Sequence, residues 1–107
     1  MAKTLYTIQM DFKKANDCAA KLEEAARKLK QCAQENFQDE IRKLESSWKG
    51  ENAALYISKC DSITHKMEST AKKMVQTANT VRTVARNTYN ADMRARNIAL
   101  TKGKNGR

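Results

Sequence analysis

Proline is absent from this chain of 107 residues, and Gly50 is its only glycine before position 103. Turns most often use these two residues, so a chain that has so few of them can make few turns. Sheet-rich folds need many turns and are not expected here. The sequence instead predicts long helices with one turn near the middle.

A first helix is predicted over residues 12–46. Apolar residues recur there at steps of three and four, as on one face of an amphipathic helix. Asp11 precedes the pattern and is the predicted N-cap. The stripe consists of Phe12, Ala15, either Cys18 or Ala19, Leu22, Ala26, Leu29, Ala33, Phe37, Ile41, Leu44 and Trp48.

The turn is predicted at residues 47–51 and a second helix at residues 52–100. Its stripe has 3,4 spacing over more than five heptads and includes Ala53, Ile57, Cys60, Thr64, Met67, Ala71, Met74, Ala78, Val81 and Ala85. Residues 101–107, TKGKNGR, are predicted to form a disordered basic tail.

Two long helices joined by a short turn must lie antiparallel, so the expected fold is all-α, a two-helix hairpin over residues 1–100. The apolar stripes are wider than one interface can cover, which predicts pairing of two hairpins into a four-helix bundle. The expected partner interface comprises Leu22, Leu29, Ile57, Ile63, Met67, Met74, Val81 and Val84. Pairing about the turn leaves residues 87–100 as an expected unpaired overhang.

Positive charge is concentrated in the second half of the chain. The formal net charge is +9, and from Ser69 onward Asp92 is the only acid. A candidate basic face comprises Arg82, Arg86, Arg94 and Arg96. Clustered cations allow nucleic-acid binding as an alternative function, although aromatic residues for base stacking do not accompany the arginines, apart from Tyr89.

Catalytic, metal and membrane functions are not expected. His65 is the only histidine, and Cys18, Cys32 and Cys60 lack the spacing of a metal or redox motif. We therefore expect no enzyme activity, no cofactor and no internal disulfide. No run approaches the roughly 18 apolar residues of a membrane span, and no cleavable signal peptide is expected.

The segment around the turn is the most specific motif. Residues 44–54, LESSWKGENAA, place Trp48 and Gly50 at mid-chain in a proline-free helical sequence. This arrangement resembles the Trp-X-Gly superfamily, the small early-secreted-antigen-like proteins of bacterial type VII secretion. The resemblance extends over nearly the whole chain, from Ile8-Gln9-Met10-Asp11 to the basic second helix.

That resemblance implies a non-enzymatic helical hairpin that pairs as a homodimer or heterodimer into a four-helix bundle. In Gram-positive bacteria such a protein is either a small secreted substrate or an export partner that binds the helical N-terminal domain of an LXG-type toxin. Its other implied partner is the type VII secretion ATPase. The implied location is cytoplasmic before export and extracellular afterwards.

Tyr89 and Asp92 are the candidate export or docking residues. The family's export motif places an acid four residues after an aromatic residue, whereas Asp92 lies three after Tyr89 and Met93 lies four after it. The two side chains still share nearly one helix face at this spacing. Alternatively, Tyr89 is a rim residue and Asp92 relieves the charge of a basic helix.

Overall fold

A computed structural model describes residues 2–105, and its regular structure is entirely helical. Helix α1 spans Leu5–Gln31, a π-helical segment spans Cys32–Phe37, α2 spans Gln38–Ser47 and α3 spans Glu51–Asn105. No strand occurs between residues 2 and 105. The all-α class is therefore confirmed, with a short linker at residues 48–50 before α3.

The predicted start of the first helix at Phe12 is wrong, because α1 begins at Leu5. Thr4 caps it: the Thr4 hydroxyl accepts a hydrogen bond from the backbone N–H of Thr7 at 3.1 Å, and the Thr4 carbonyl accepts the N–H of Ile8 at 3.0 Å. These bonds satisfy donors that a helix start leaves unpaired. Burial of Ile8, which is 1% exposed, favours the added turns.

The first helix is also not one continuous α-helix, because the π-helical segment interrupts it. Ala19, Ala26 and Ala33 follow one another at seven residues, but Ile41 comes eight residues after Ala33. A π-helical turn holds one extra residue. It therefore brings Ile41 back to the face of Ala33, and both are buried.

Helix α3 continues beyond its predicted end near residue 100 and reaches Asn105. Residues 101–105 are therefore helical rather than a disordered tail. The hydroxyl of Thr101 donates to the carbonyl of Asn97 at 2.8 Å, and the positive charge of Lys102 is favourable near a helix C-terminus. The rest of the predicted tail, Gly106 and Arg107, lies outside the described residues.

The chain divides into two compact units. Unit 1 contains the described parts of Met1–Lys21 and Thr77–Arg107. Its two segments are antiparallel: the rings of Phe12 and Tyr89 lie 5.0 Å apart, and Lys3 binds Asp92 at 3.2 Å. The expected overhang at residues 87–100 is wrong, because the earlier start of α1 supplies helix to pair with it.

Unit 2, Leu22–Gln76, is by itself an antiparallel helical hairpin. The N–H of Trp48 donates to the Leu44 carbonyl at 2.9 Å and ends α2. The carbonyl of Gly50 accepts the N–H of Ala54 at 3.1 Å and begins α3. The turn therefore satisfies backbone groups at both helix ends.

Alanine dominates the core of both units. The buried apolar residues of unit 1 are Ile8, Ala19, Ala78 and Ala85, and those of unit 2 are Ala26, Ala33, Ile41, Ala53 and Ala71. Thr64 is also buried, and its hydroxyl donates to the Cys60 carbonyl at 3.1 Å. Small side chains let two helix axes approach closely. We call these positions the alanine seam.

Among the described residues, no helix combines the length and the apolar character needed to cross a membrane.

Deleting one residue tests the origin of the π-helical segment. Removal of Gln34, an exposed residue of that segment, restores seven-residue spacing between Ala33 and Ile41. We expect unchanged helix content by circular dichroism and a free energy of unfolding within about 1 kcal/mol of the parent, because Ile41 keeps its face.

The control deletes Lys28, an exposed residue of a regular α-helical turn. This deletion rotates Leu29 and Ala33 by about 100° relative to the preceding residues. Urea unfolding should then show a loss of about 2 kcal/mol or more. Equal losses for the two deletions would contradict our explanation of the π-helical segment.

Candidate protein-protein interface

An uncharged stripe on α3 runs beside the alanine seam and is exposed along its whole length. Its members recur at every seventh residue: Tyr56, Ile63, Thr70, Thr77, Val84, Ala91 and Ile98. We call them the outer stripe. Half-buried Met67, Met74 and Val81 lie between the outer stripe and the alanine seam. Helix α3 therefore has the pattern of a helix that packs on two neighbours at once.

Helix α1 carries a shorter counterpart of the outer stripe. Cys18, Ala25 and Cys32 each directly precede an alanine of the seam. In an antiparallel helical pair, equivalent flanking positions of the two helices lie on the same side. We call this the apolar side of each unit.

In unit 1 the apolar side forms a groove of about 330 Å³. Phe12 and Ala15 line it from α1, and Val81 and Val84 line it from α3. Threonines 77, 80 and 88 add uncharged lining, and Asp11 and Asp92 are its only charged lining residues among those described. An amphipathic helix is the kind of ligand that such a groove accommodates.

The residues expected at the partner interface fall into two groups in the structure. Leu22, Leu29, Ile57, Met67, Met74 and Val81 are half-buried. Ile63 and Val84, which belong to the outer stripe, are 48% and 56% exposed. Their exposure leaves these two β-branched side chains available for contact with another molecule.

The opposite side of unit 2 carries charged residues of both signs. A groove of about 940 Å³ lies there, and its charged lining residues are Glu23, Arg27, Lys30, Glu68 and Lys72. Both signs of charge are present, so carboxylates and cations lie near one another. The hydrogen bond from Arg27 lowers the pKa of the neighbouring Glu24 carboxyl. The two sides of unit 2 therefore differ in chemistry.

Gly50 and Trp48 have distinct roles in the turn. Gly50 adopts φ = 115°, a backbone conformation that residues with a side chain rarely adopt. A Cβ at Gly50 would meet no atom within 4 Å, so backbone conformation rather than space favours glycine. The indole of Trp48 lies 5.6 Å from the Tyr56 ring but is 41% exposed, so it covers the end of the hairpin only in part.

Tyr89 and Asp92 both contact the N-terminal part of the chain. The half-buried ring of Tyr89 packs on Phe12, and the carboxylate of Asp92 accepts a hydrogen bond from Lys3. Lys3 also donates to Asp11 at 3.0 Å. We call these three charged residues the Lys3 clamp. The sequence pattern did not indicate it, because Lys3 and Asp92 are 89 positions apart.

The Lys3 clamp has a defined electrostatic effect. The hydrogen bond to Asp11, followed by the one to Asp92, raises the pKa of the Lys3 amine above its ordinary value. Lys3 is therefore charged throughout the neutral pH range, and it balances part of the negative charge at the end of the apolar groove.

The candidate basic face does not form one continuous site. Arg82 and Arg86 line a shallow polar groove of about 330 Å³ together with Asn79, Thr83 and Asn87. Arg96 lies at a different groove, against residues 2–5. Arg94 lines neither groove. Only one pair of the four arginines shares a candidate site for an anion.

We compared the chain with protein-family models, with curated proteins and with solved structures, and found no match in any of the three.

Gly50→Ala tests the role of the turn glycine. An alanine at φ = 115° is strained, so we expect urea unfolding to show a loss of about 1–2 kcal/mol. The control is Gly103→Ala, at an open helical position where alanine should stabilise the protein by about 0.5–1 kcal/mol. A gain at both positions would contradict the strain explanation.

Lys3→Met tests the Lys3 clamp. Because the pKa of Lys3 is raised on folding, its contribution is complete below the ordinary lysine pKa and is lost as the pH rises through the folded-state value. We therefore expect the parent to unfold at higher urea than Lys3→Met at pH 8 and the difference to close at strongly alkaline pH. A difference that persists there would contradict an electrostatic role.

Proposed function

We propose that this chain is a non-enzymatic helical protein of type VII secretion, similar to the Trp-X-Gly superfamily, that pairs with another helical protein and assists its export. One observation carries the proposal: the core is an alanine seam, while larger apolar side chains remain half-buried or exposed beside it. A chain of this kind gains further apolar burial only from a partner.

The free energy available from such a partner is substantial. Full burial of one Val, Ile or Met side chain contributes roughly 1.5–3 kcal/mol. Ile63 and Val84 are about half exposed, and Met67, Met74 and Val81 beside them are half-buried. A second helical pair placed on the apolar side of a unit covers the members in that unit, and the two pairs together form a four-helix bundle.

The turn supports the resemblance to the Trp-X-Gly superfamily. Trp48 and Gly50 lie in the linker between α2 and α3, and the positive φ of Gly50 gives a physical reason for glycine there. The partner is then a related small helical protein or the helical N-terminal domain of an LXG-type toxin. In either case the chain is cytoplasmic before export and extracellular afterwards.

Tyr89 and Asp92 remain the proposed docking element for the secretion ATPase. In the structure their side chains are held by Phe12 and Lys3. Recognition of both side chains by the ATPase therefore requires the first turns of α1 to move away from α3.

Secretion assays test this function. We expect Trp48→Ala and Tyr89→Ala to reduce export of the chain and of its partner about tenfold or more in the native host, because one disturbs the turn and the other removes the docking ring. The matched control is Tyr6→Ala, at a ring that is 71% exposed and outside both motifs. Export that persists without the type VII ATPase would contradict the proposal.

Nucleic-acid binding is the second candidate function, and the groove at Arg82 and Arg86 is the observation that favours it. Salt distinguishes the two functions, because phosphate contacts weaken steeply as salt rises whereas apolar contacts persist. Purification from the native host at low and high salt, with and without nuclease, gives this comparison. Recovery of nucleic acid at low salt without a protein partner would favour the second function.

A further inference from the structure

Lysines border the apolar side of both units. Five of them lie three residues after one apolar-side residue and four before the next, and Lys14 lies four before Cys18, so each is a neighbour of that side on the helix surface. Lys59, for example, follows Tyr56 and precedes Ile63. The set comprises Lys14, Lys21 and Lys28 on α1, and Lys59, Lys66 and Lys73 on α3. We call them the edge lysines.

The edge lysines are available to a ligand. All six are exposed, and among residues 2–105 none forms an ion pair with a carboxylate. Other basic residues do form such pairs: Lys13 binds Asp17 at 2.7 Å, and Lys43 binds Glu40 at 3.4 Å. The edge lysines therefore keep their charge available to a carboxylate of another molecule.

Carboxylates occupy other helix positions. The acids within residues 12–34 and 53–91 are Asp17, Glu23, Glu24, Asp61 and Glu68. None of them lies in the outer stripe, in its counterpart on α1 or among the edge positions. Glu23 and Glu68 line the groove on the opposite side of unit 2. In these segments the outer stripe, its counterpart on α1 and the edge positions carry no carboxylate, and on α1 Glu24 lies near Lys28.

We infer that the apolar side binds an acidic-edged helical partner, a different protein whose apolar helix stripe is flanked by Asp and Glu side chains. Its stripe covers Ile63 and the half-buried Met67 and Met74 on the apolar side of unit 2, and its carboxylates reach the edge lysines of that unit. Complementary charge of this kind sets partner choice at the edges of helical seams. The inference rests on one part of the proposed function, the existence of a helical partner, and does not depend on the secretion role.

A second copy of this chain is a poor occupant of the same surface. Two copies that meet through the apolar side of unit 2 bring edge lysines against edge lysines, with no carboxylate in the outer stripe or at the edge positions of that unit. Like charges at the edges of a helical interface oppose association. We therefore expect the chain alone to form no stable dimer through the apolar side.

A charge-reversed copy of the chain serves as the probe. The variant K59E/K66E/K73E keeps the outer stripe and flanks it with carboxylates on α3. We expect it to form a one-to-one complex with the parent chain in analytical ultracentrifugation. That complex should bind about tenfold more tightly at low salt than at high salt, because its edge contacts are exposed.

The control probe K72E/R86E/K102E reverses three exposed charges away from the edge positions and has the same net charge. It should not pair with the parent, since its edge lysines are unchanged. Equal pairing by both probes would show that net charge alone is responsible and would overturn the inference. A dimer of the parent alone that is as tight as the mixed complex would also overturn it.

Two apolar substitutions in the parent locate the binding surface. Ile63→Asn, in the outer stripe, should abolish pairing with the K59E/K66E/K73E probe. Val75→Asn, at a 39% exposed position in the opposite groove, should leave pairing unchanged. Circular dichroism of both variants establishes that they are folded. Loss of pairing with Val75→Asn alone would place the partner on the opposite side of unit 2 instead.

The outcomes separate this inference from the proposed function. Failure of the K59E/K66E/K73E probe to pair, together with export that depends on Trp48, overturns only the acidic-edged partner. If the probe pairs but export is unchanged in the Trp48→Ala and Tyr89→Ala variants, only the secretion role is overturned.

Discussion

Close packing through alanine is the constraint on which the rest of the structure depends. Seven of the nine buried apolar residues in the described chain are alanines, and most follow a seven-residue repeat. Alanine leaves little volume between the helices, so apart from Ile8 and Ile41 the larger apolar side chains lie beside the seam. The narrow core and the exposed apolar side therefore have the same cause.

The seam also separates two kinds of surface. One side of unit 2 carries Glu23 and Glu68 near three cations, so charges of both signs lie there. The apolar side carries uncharged residues flanked by the edge lysines. A surface that exposes apolar area and carries unpaired charge of one sign is suited to a partner that buries the apolar area and carries the opposite charge. Both proposals depend on this asymmetry.

Local features adapt the helices to the seam. The π-helical segment absorbs one extra residue and keeps Ile41 on the buried face. Thr4 starts α1 early enough for Ile8 to be buried and for Lys3 to reach Asp92. Gly50 accepts the positive φ of the turn. Each feature helps to keep the buried residues of the seam facing each other in an antiparallel pair. A regular helix alone would not do so.

Periodicity predicted the helical class, the position of the turn and the residues beside the seam, because heptad spacing is a local property of the sequence. The spacing also indicates the extra residue of the π-helical segment, because three successive steps of four run from Leu29 to Ile41. Leu5 and Ile8 extend the three- and four-residue steps before Phe12, but the prediction started α1 after Asp11 because Asp is a favourable N-cap residue.

The sequence by itself determined that this protein is helical with one turn and an apolar stripe on each helix. Only the tertiary structure decided that residues 87–100 are paired, that Lys3 holds Asp92, and that Ile63 and Val84 remain exposed while Ala71 and Ala85 are buried. The physical reason is that spacing defines a face of a helix, whereas burial depends on which part of that face the second helix covers.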